Sequence, residues 1–107
     1  MVLKDEKCEP CREGTSPLAP EMTKELLRET PKWRLKERSI EQEFKFEDFR
    51  EAIRFINRVA DVAEEQGHHP EIYNSYNKVR LELWTRKIGG LSKNDFILAA
   101  KIDELVK

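Results

Sequence analysis

His68 and His69, followed at once by Pro70, are the only imidazoles in the chain. Imidazole is the side chain whose ordinary pKa lets it both give and take a proton near neutral pH, so an adjacent pair offers one acid and one base to a single substrate. Carboxylates stand near them in the pattern: Glu64 falls four residues before His68, and Asp95 follows the run Gly90-Leu91-Ser92. A carboxylate beside an imidazole orients the ring or stabilises its protonated form, and the helical spacing places Glu64 on roughly the face of His68. Imidazolium is favoured near the last carbonyls of any helix, which accounts for one ring but not for the pair and its acids. Taken singly, Glu64 also reads as one of the solvated acids beside Asp61 and Glu65, and Asp95 as a helix cap.

The elements that must carry these residues follow from periodicity. Met22, Leu26 and Leu27 share one face of a helix from Pro20 to Glu29, and Thr30-Pro31 stops it because a residue before proline disfavours the helical region. Alternation predicts strands over Trp33 to Arg38 and Ile40 to Phe46, joined tightly around Glu37 to Ser39. Phe46, Phe49, Ala52, Ile53, Ile56, Val59, Ala60 and Ala63 then follow helical spacing, and Gly67 ends that helix. The histidine pair is thereby presented from a helix-to-strand corner, held extended by Pro70.

Ile72 and Tyr73 begin a third strand. Lys78 to Arg86 makes a fourth, with Val79, Leu81, Leu83 and Thr85 on one face and Arg80, Glu82, Trp84 and Arg86 on the other. Gly89-Gly90 turns the chain, and Ser92 with Asp95 forms a capping-box start for a last helix carrying Phe96, Ala99, Ala100, Ile102 and Leu105. The predicted class is α+β in the order α-β-β-α-β-β-α. Trp33, Phe44, Phe49 and Phe55 are assigned to packing, and Trp84 to the site or to a subunit contact.

A chain of 107 residues supports one core. Residues 1–18, polar and broken by Pro10, Gly14 and Pro17, read as a flexible arm, leaving 19–107 as the domain. With 20 basic against 21 acidic residues there is no basic field to hold nucleic acid. No apolar run approaches the ~20 residues of a membrane helix, and the N-terminus has no hydrophobic signal core, so a cytoplasmic protein away from membranes is expected. Cys8 and Cys11 form a Cys-x-x-Cys pair, which in a reducing compartment suggests metal or redox chemistry over a structural bridge. Together with His68 and His69 they make a formal two-cysteine, two-histidine set, but adjacent histidines lack the usual zinc spacing, and no metal is assigned.

The run Glu64-x-x-x-His68-His69-Pro70, then Tyr76-Asn77-Lys78-Val79, Thr85, Gly90-Leu91-Ser92 and Asp95, resembles the pterin-4a-carbinolamine dehydratase family. The likeness extends through Trp33, Phe44, Phe46, Phe49 and Phe55 to cover residues 20 to 106, and Cys8-Glu9-Pro10-Cys11-Arg12 is similar to the N-terminus of bacterial members found beside phenylalanine hydroxylase. The resemblance implies a four-stranded antiparallel sheet with three helices on one face, assembled as a homodimer or homotetramer. It implies removal of water from 4a-hydroxytetrahydropterin, the by-product of aromatic amino acid hydroxylation, to give quinonoid dihydropterin, with no cofactor or metal. In that scheme His68, His69, Glu64 and Asp95 are catalytic, and Pro70, Trp84, Thr85 and Arg86 contact substrate.

Active members of the family mostly carry a third histidine where this chain has Arg86. Guanidinium keeps its proton at any physiological pH and supplies only charge and donors, suited to a pterin carbonyl or a departing hydroxide. If a third histidine is the main acid or base, its loss removes about 3 to 5 kcal/mol of transition-state help; if it binds substrate, arginine substitutes. The resemblance therefore also admits a binding, assembly or coactivator protein that keeps the fold without the reaction, and thirdly a role in molybdopterin-related pterin handling.

Overall fold

The computed structural model describes residues 2–10 and 14–107. Three helices cover one face of a four-stranded antiparallel sheet whose strand order is β1-β2-β4-β3. Helix α1 spans Pro20–Glu29, with proline at its first position, where the missing N–H has no intrahelical partner to lose. It buries Thr23 and Leu26, while Met22 is exposed, so its inward stripe lies one residue round from the apolar reading.

Strand β1 is only Arg34–Leu35, shorter than the alternation predicts. Lys36 N–H donates to the Ser39 carbonyl at 2.8 Å, which closes the turn early, and Leu35 stays exposed on the sheet edge. β2 (Ile40–Lys45) and β4 (Lys78–Leu83) form the sheet centre, pairing Ile40 with Leu83, Gln42 with Leu81 and Phe44 with Val79 on the helix-facing side. β3 (Glu71–Ser75) is the other edge.

Helix α2 (Phe49–Gln66) opens on the side chain of Asp48, which accepts from Glu51 N–H at 2.8 Å. Its buried stripe is Ala52, Phe55, Val59 and Ala63. Phe55 packs against Phe44 and Phe46 at ring distances of 4.7 and 4.9 Å, and Trp33 meets Phe44 edge-on. Phe49 is a correction to the packing assignment: in the first turn, at the end of this stripe, it is half-exposed. Ala60 likewise faces out.

The fourth strand ends at Leu83 rather than Arg86. Thr85 N–H donates to the Gly90 carbonyl and Gly90 N–H to the Thr85 carbonyl, which folds Arg86–Ile88 into a single 3-10 turn. Gly90 is required there for space, since a β-carbon would meet the Pro17 ring at 2.9 Å. Helix α3 (Lys93–Glu104) is buried nearly all round, through Phe96, Ile97, Leu98, Ala99 and Ile102, because α1, α2 and the N-terminal arm all pack on it. Its place at the centre of the helical layer explains why its apolar residues show no single-sided pattern.

Packing reaches further toward the N-terminus than composition predicts. Leu3, in a short 3-10 turn at Leu3–Asp5, is buried in the core, and ion pairs from Lys4 to Glu104 and from Lys93 to Glu6 bind residues 4–6 to α3. One apolar residue among charges gives no period to read. No helix among the described residues is long and apolar enough to cross a membrane.

Candidate active site

The corner between α2 and β3 is built by Gly67. It takes the left-handed conformation at φ 66°, where its N–H meets the Glu64 carbonyl and His68 N–H meets that of Ala63. Those bonds close the helix and turn His68 and His69 toward the start of α3. Across the gap, the Thr85–Gly90 bridge and the capping box of α3 hold Asp95.

Asp95 is fully buried and uses both carboxylate oxygens. Oδ2 accepts from Ser92 N–H at 2.9 Å and from the Thr85 hydroxyl at 2.9 Å. Oδ1 lies 2.5 Å from His68 Nε2. The sequence leaves Asp95 as either a cap or a support for histidine; one oxygen does each. With the Thr85 proton committed to the carboxylate, the contact between Thr85 Oγ1 and Ser92 Oγ at 2.8 Å runs from Ser92 to Thr85.

Glu64 pairs with His69, its Oε2 2.5 Å from Nε2, and not with His68. The helical rule that put Glu64 under His68 fails because the helix ends at Gln66, and the left-handed Gly67 swings the next residues off its face. Both histidines thus present Nε2 to a carboxylate, which only accepts. In the neutral ring Nε2 must then carry the proton, and Nδ1 is left as the lone-pair nitrogen.

The two histidines line a cleft of about 570 Å³, together with Pro70, Trp84, Thr85 and Arg86, while Glu64 and Asp95 are not part of its lining and reach it only through the imidazoles. All four residues expected from the sequence to contact substrate therefore reach it, although Thr85 is buried and its hydroxyl is spent on Asp95. Arg86 comes from the 3-10 turn, its guanidinium 5.7 Å from the Trp84 ring. Trp84 is fixed from the far side by Glu71, whose Oε2 accepts from the indole N–H at 2.6 Å while Oε1 accepts from Tyr73 at 3.0 Å. These two hydrogen bonds, from Trp84 and then Tyr73, hold the Glu71 carboxyl below its ordinary value, aided by the charges of Arg86 and Arg80 and opposed by burial. Glu71 was missed from sequence; its only signal was its place directly after Pro70 at the head of an edge strand.

Three arm residues, Cys8, Glu9 and Pro10, also line the cleft, which no periodicity announced. Cys11, the other half of the Cys-x-x-Cys pair, lies outside the described residues.

Comparison with known proteins places this geometry in a family. A protein of Rubrobacter xylanophilus named "Putative pterin-4-alpha-carbinolamine dehydratase" is 41% identical over 104 residues, covering 96% of this chain and 97% of its own. One of the same name from Halorhodospira halophila is 43% identical over 107 residues, covering 98% of each chain. The crystal structure of a transcriptional coactivator/pterin dehydratase from Brucella melitensis superposes with a TM-score of 0.80 at 33% identity, covering 86% of this chain and all of that one. The family model for pterin 4 alpha carbinolamine dehydratase matches residues 16–105, and the chain belongs to that family of hydro-lyases.

Proposed function

We propose that this chain dehydrates a 4a-hydroxytetrahydropterin to the quinonoid dihydropterin, with His68 as base and His69 as acid. The observation that carries the assignment is that each histidine of the cleft gives Nε2 to a carboxylate at 2.5 Å, leaving Nδ1 for chemistry. His68 Nδ1 takes the N5 proton, the N–H electrons form the C4a=N5 bond, and the C4a–O bond breaks as His69, entering the step as imidazolium, delivers its Nδ1 proton to the leaving hydroxyl, which departs as water. Asp95 stabilises the imidazolium formed on His68, while Thr85 and Ser92 hold Asp95 in place. His69 is exposed and recovers its proton from water. Arg86 supplies fixed positive charge to the departing oxygen or to a pterin carbonyl, and Trp84 and Pro70 shape the cleft around the ring.

Each positioned acid or base of this kind contributes about a hundredfold to ten-thousandfold in rate. No metal or cofactor enters the scheme. The substrate is the by-product of aromatic amino acid hydroxylation, so the natural setting is the cytoplasm, beside such a hydroxylase, and the assembly is a homodimer or homotetramer. Purified protein added to a hydroxylase reaction that accumulates the carbinolamine should speed its disappearance, and His68→Ala/His69→Ala should abolish that gain. No acceleration over buffer, or acceleration that survives the double change, overturns the proposal.

A second reading, a binding or coactivator protein, is favoured by Arg86 standing where the resemblance expects histidine. It calls for one stoichiometric protein partner in a pull-down without pterin turnover. Single-turnover comparison with Arg86→His separates the two, because a binding protein gains nothing from the change.

A further inference from the structure

Residues 8–10 form one wall of the cleft, and their seat is specified by side chains of the two elements that carry the histidine pair and Asp95. Glu9 N–H donates to Asn94 Oδ1 at 2.9 Å, and Asn94 Nδ2 donates back to the Glu9 carbonyl at 2.5 Å. A primary amide that grips both polar groups of one residue acts as a strand partner would, fixing position and direction together. Cys8 N–H donates to Gln66 Oε1 at 2.9 Å, and the Cys8 thiol donates to the Asn94 carbonyl at 3.5 Å. Asn94 immediately precedes Asp95, and Gln66 stands two residues before His68. The arm is therefore pinned to both sides of the proton-transfer site.

We infer that Asn94, with Gln66, is a positioning residue for the reduced pterin: it latches residues 8–10 against the cleft, and the docked arm is part of the surface the pterin binds. This deepens the dehydratase reading and rests on it. The proton-transferring groups do not depend on the latch. His68 is tied back to Ala63, and Asp95 is held by Ser92 and Thr85. Unlatching therefore lowers the fraction of molecules with a complete binding surface while leaving the chemical step in those that bind. Apparent affinity falls in proportion to that fraction.

The test is steady-state dehydratase kinetics of the full chain as wild type, Asn94→Ala and Gln66→Ala. A second readout is alkylation of Cys8, followed by mass spectrometry, with and without 7,8-dihydrobiopterin as the probe ligand. KM should rise about tenfold in Asn94→Ala, as for a latch docked about a tenth of the time, and kcat should change less than about threefold. Asn94→Asp, which keeps the acceptor for Glu9 N–H and loses the donor, should fall between. Dihydrobiopterin should protect Cys8 in the wild type and not in Asn94→Ala. Gln66→Ala gives the same KM pattern in a weaker form, and it decides the matter if Asn94→Ala does not fold. Wild-type turnover with KM unchanged in the folded variants, or a Cys8 that dihydrobiopterin never shields, overturns the latch and leaves the dehydratase reading standing. A wild type without turnover removes that reading, and the latch with it.

Discussion

The two histidine–carboxylate pairs have the same separation, 2.5 Å, and opposite surroundings. The His68 side chain is 13% exposed and that of Asp95 fully buried, whereas His69 and Glu64 are 59% and 77% exposed. Asp95 is held by two further donors from separate segments; the Glu64 carboxylate has no partner but His69 among the described residues. Away from water a charge-assisted hydrogen bond is stronger and its geometry is set before substrate arrives. At the surface, water and salt compete for both partners and the side chains give up rotamer freedom to meet. Distance alone thus says little about what a pair contributes: in the proposed reaction the buried one is the preorganised base and the exposed one the replaceable acid.

The largest effect that sharpens this contrast is on kcat. His68→Ala should lower it by about a thousandfold to ten-thousandfold, whereas His69→Ala should cost about ten- to a hundredfold, because solvent can protonate an exposed leaving group. Equal losses in the two variants would erase the distinction. Asp95→Asn comes next, at about a hundredfold. The amide that replaces Oδ1 donates to His68 Nε2, which moves the ring proton to Nδ1 and leaves no base facing substrate. The melting temperature should fall as well if the amide turns the other way, since Ser92 N–H and the Thr85 hydroxyl then face an NH2 group that cannot accept from them. A variant that keeps wild-type kcat would show that Asp95 is only a cap.

Glu64→Gln is the matching change at the surface. It should alter kcat by under about threefold and leave stability within error, as exposed ion pairs generally do. A loss as large as that of Asp95→Asn would mean that Glu64 becomes buried when substrate closes the cleft, and the comparison drawn from exposure would collapse.

Much of this site was legible from residue types, because an adjacent histidine pair, a glycine stop and a capping box are local signals. The order of elements along the chain and the α+β class followed from alternating and helical periods that burial then honoured at Val79, Leu81, Leu83, Ala52 and Val59. What sequence misassigned was decided across space. Glu64 went to His69 because of one backbone torsion at Gly67, and Arg86 left the strand because Thr85 bridges to Gly90. Phe49 and Phe55 have the same chemistry at helical spacing, yet only the second has sheet beneath it. The arm was unreadable because it is held by polar contacts to Asn94, Gln66 and Glu104 and by one buried leucine, none of which makes a pattern.

A third carboxylate, remote from the cleft, tests whether burial or partners decide a carboxylate's behaviour. Glu41 is buried on the outer face of β2, with Arg34 at 2.9 Å, Arg80 at 3.3 Å and Lys36 at 3.6 Å. Burial pushes its carboxyl up, but the charges of Lys36, Arg34 and Arg80 outweigh that and leave it below the ordinary 4.5. Unfolding returns the group to its ordinary value, so its contribution to stability is complete above that pH and is lost as pH falls through the lower folded value. Glu41→Gln should therefore melt below the wild type at pH 7, with three cations left facing a neutral amide, and the gap should narrow as both are acidified from about pH 5 to pH 3. Melting curves across that range measure it. A gap that stays constant would mean that the cations only offset burial, and a wild type that instead gains on the variant as pH falls would mean that burial, by favouring the neutral form, governs Glu41.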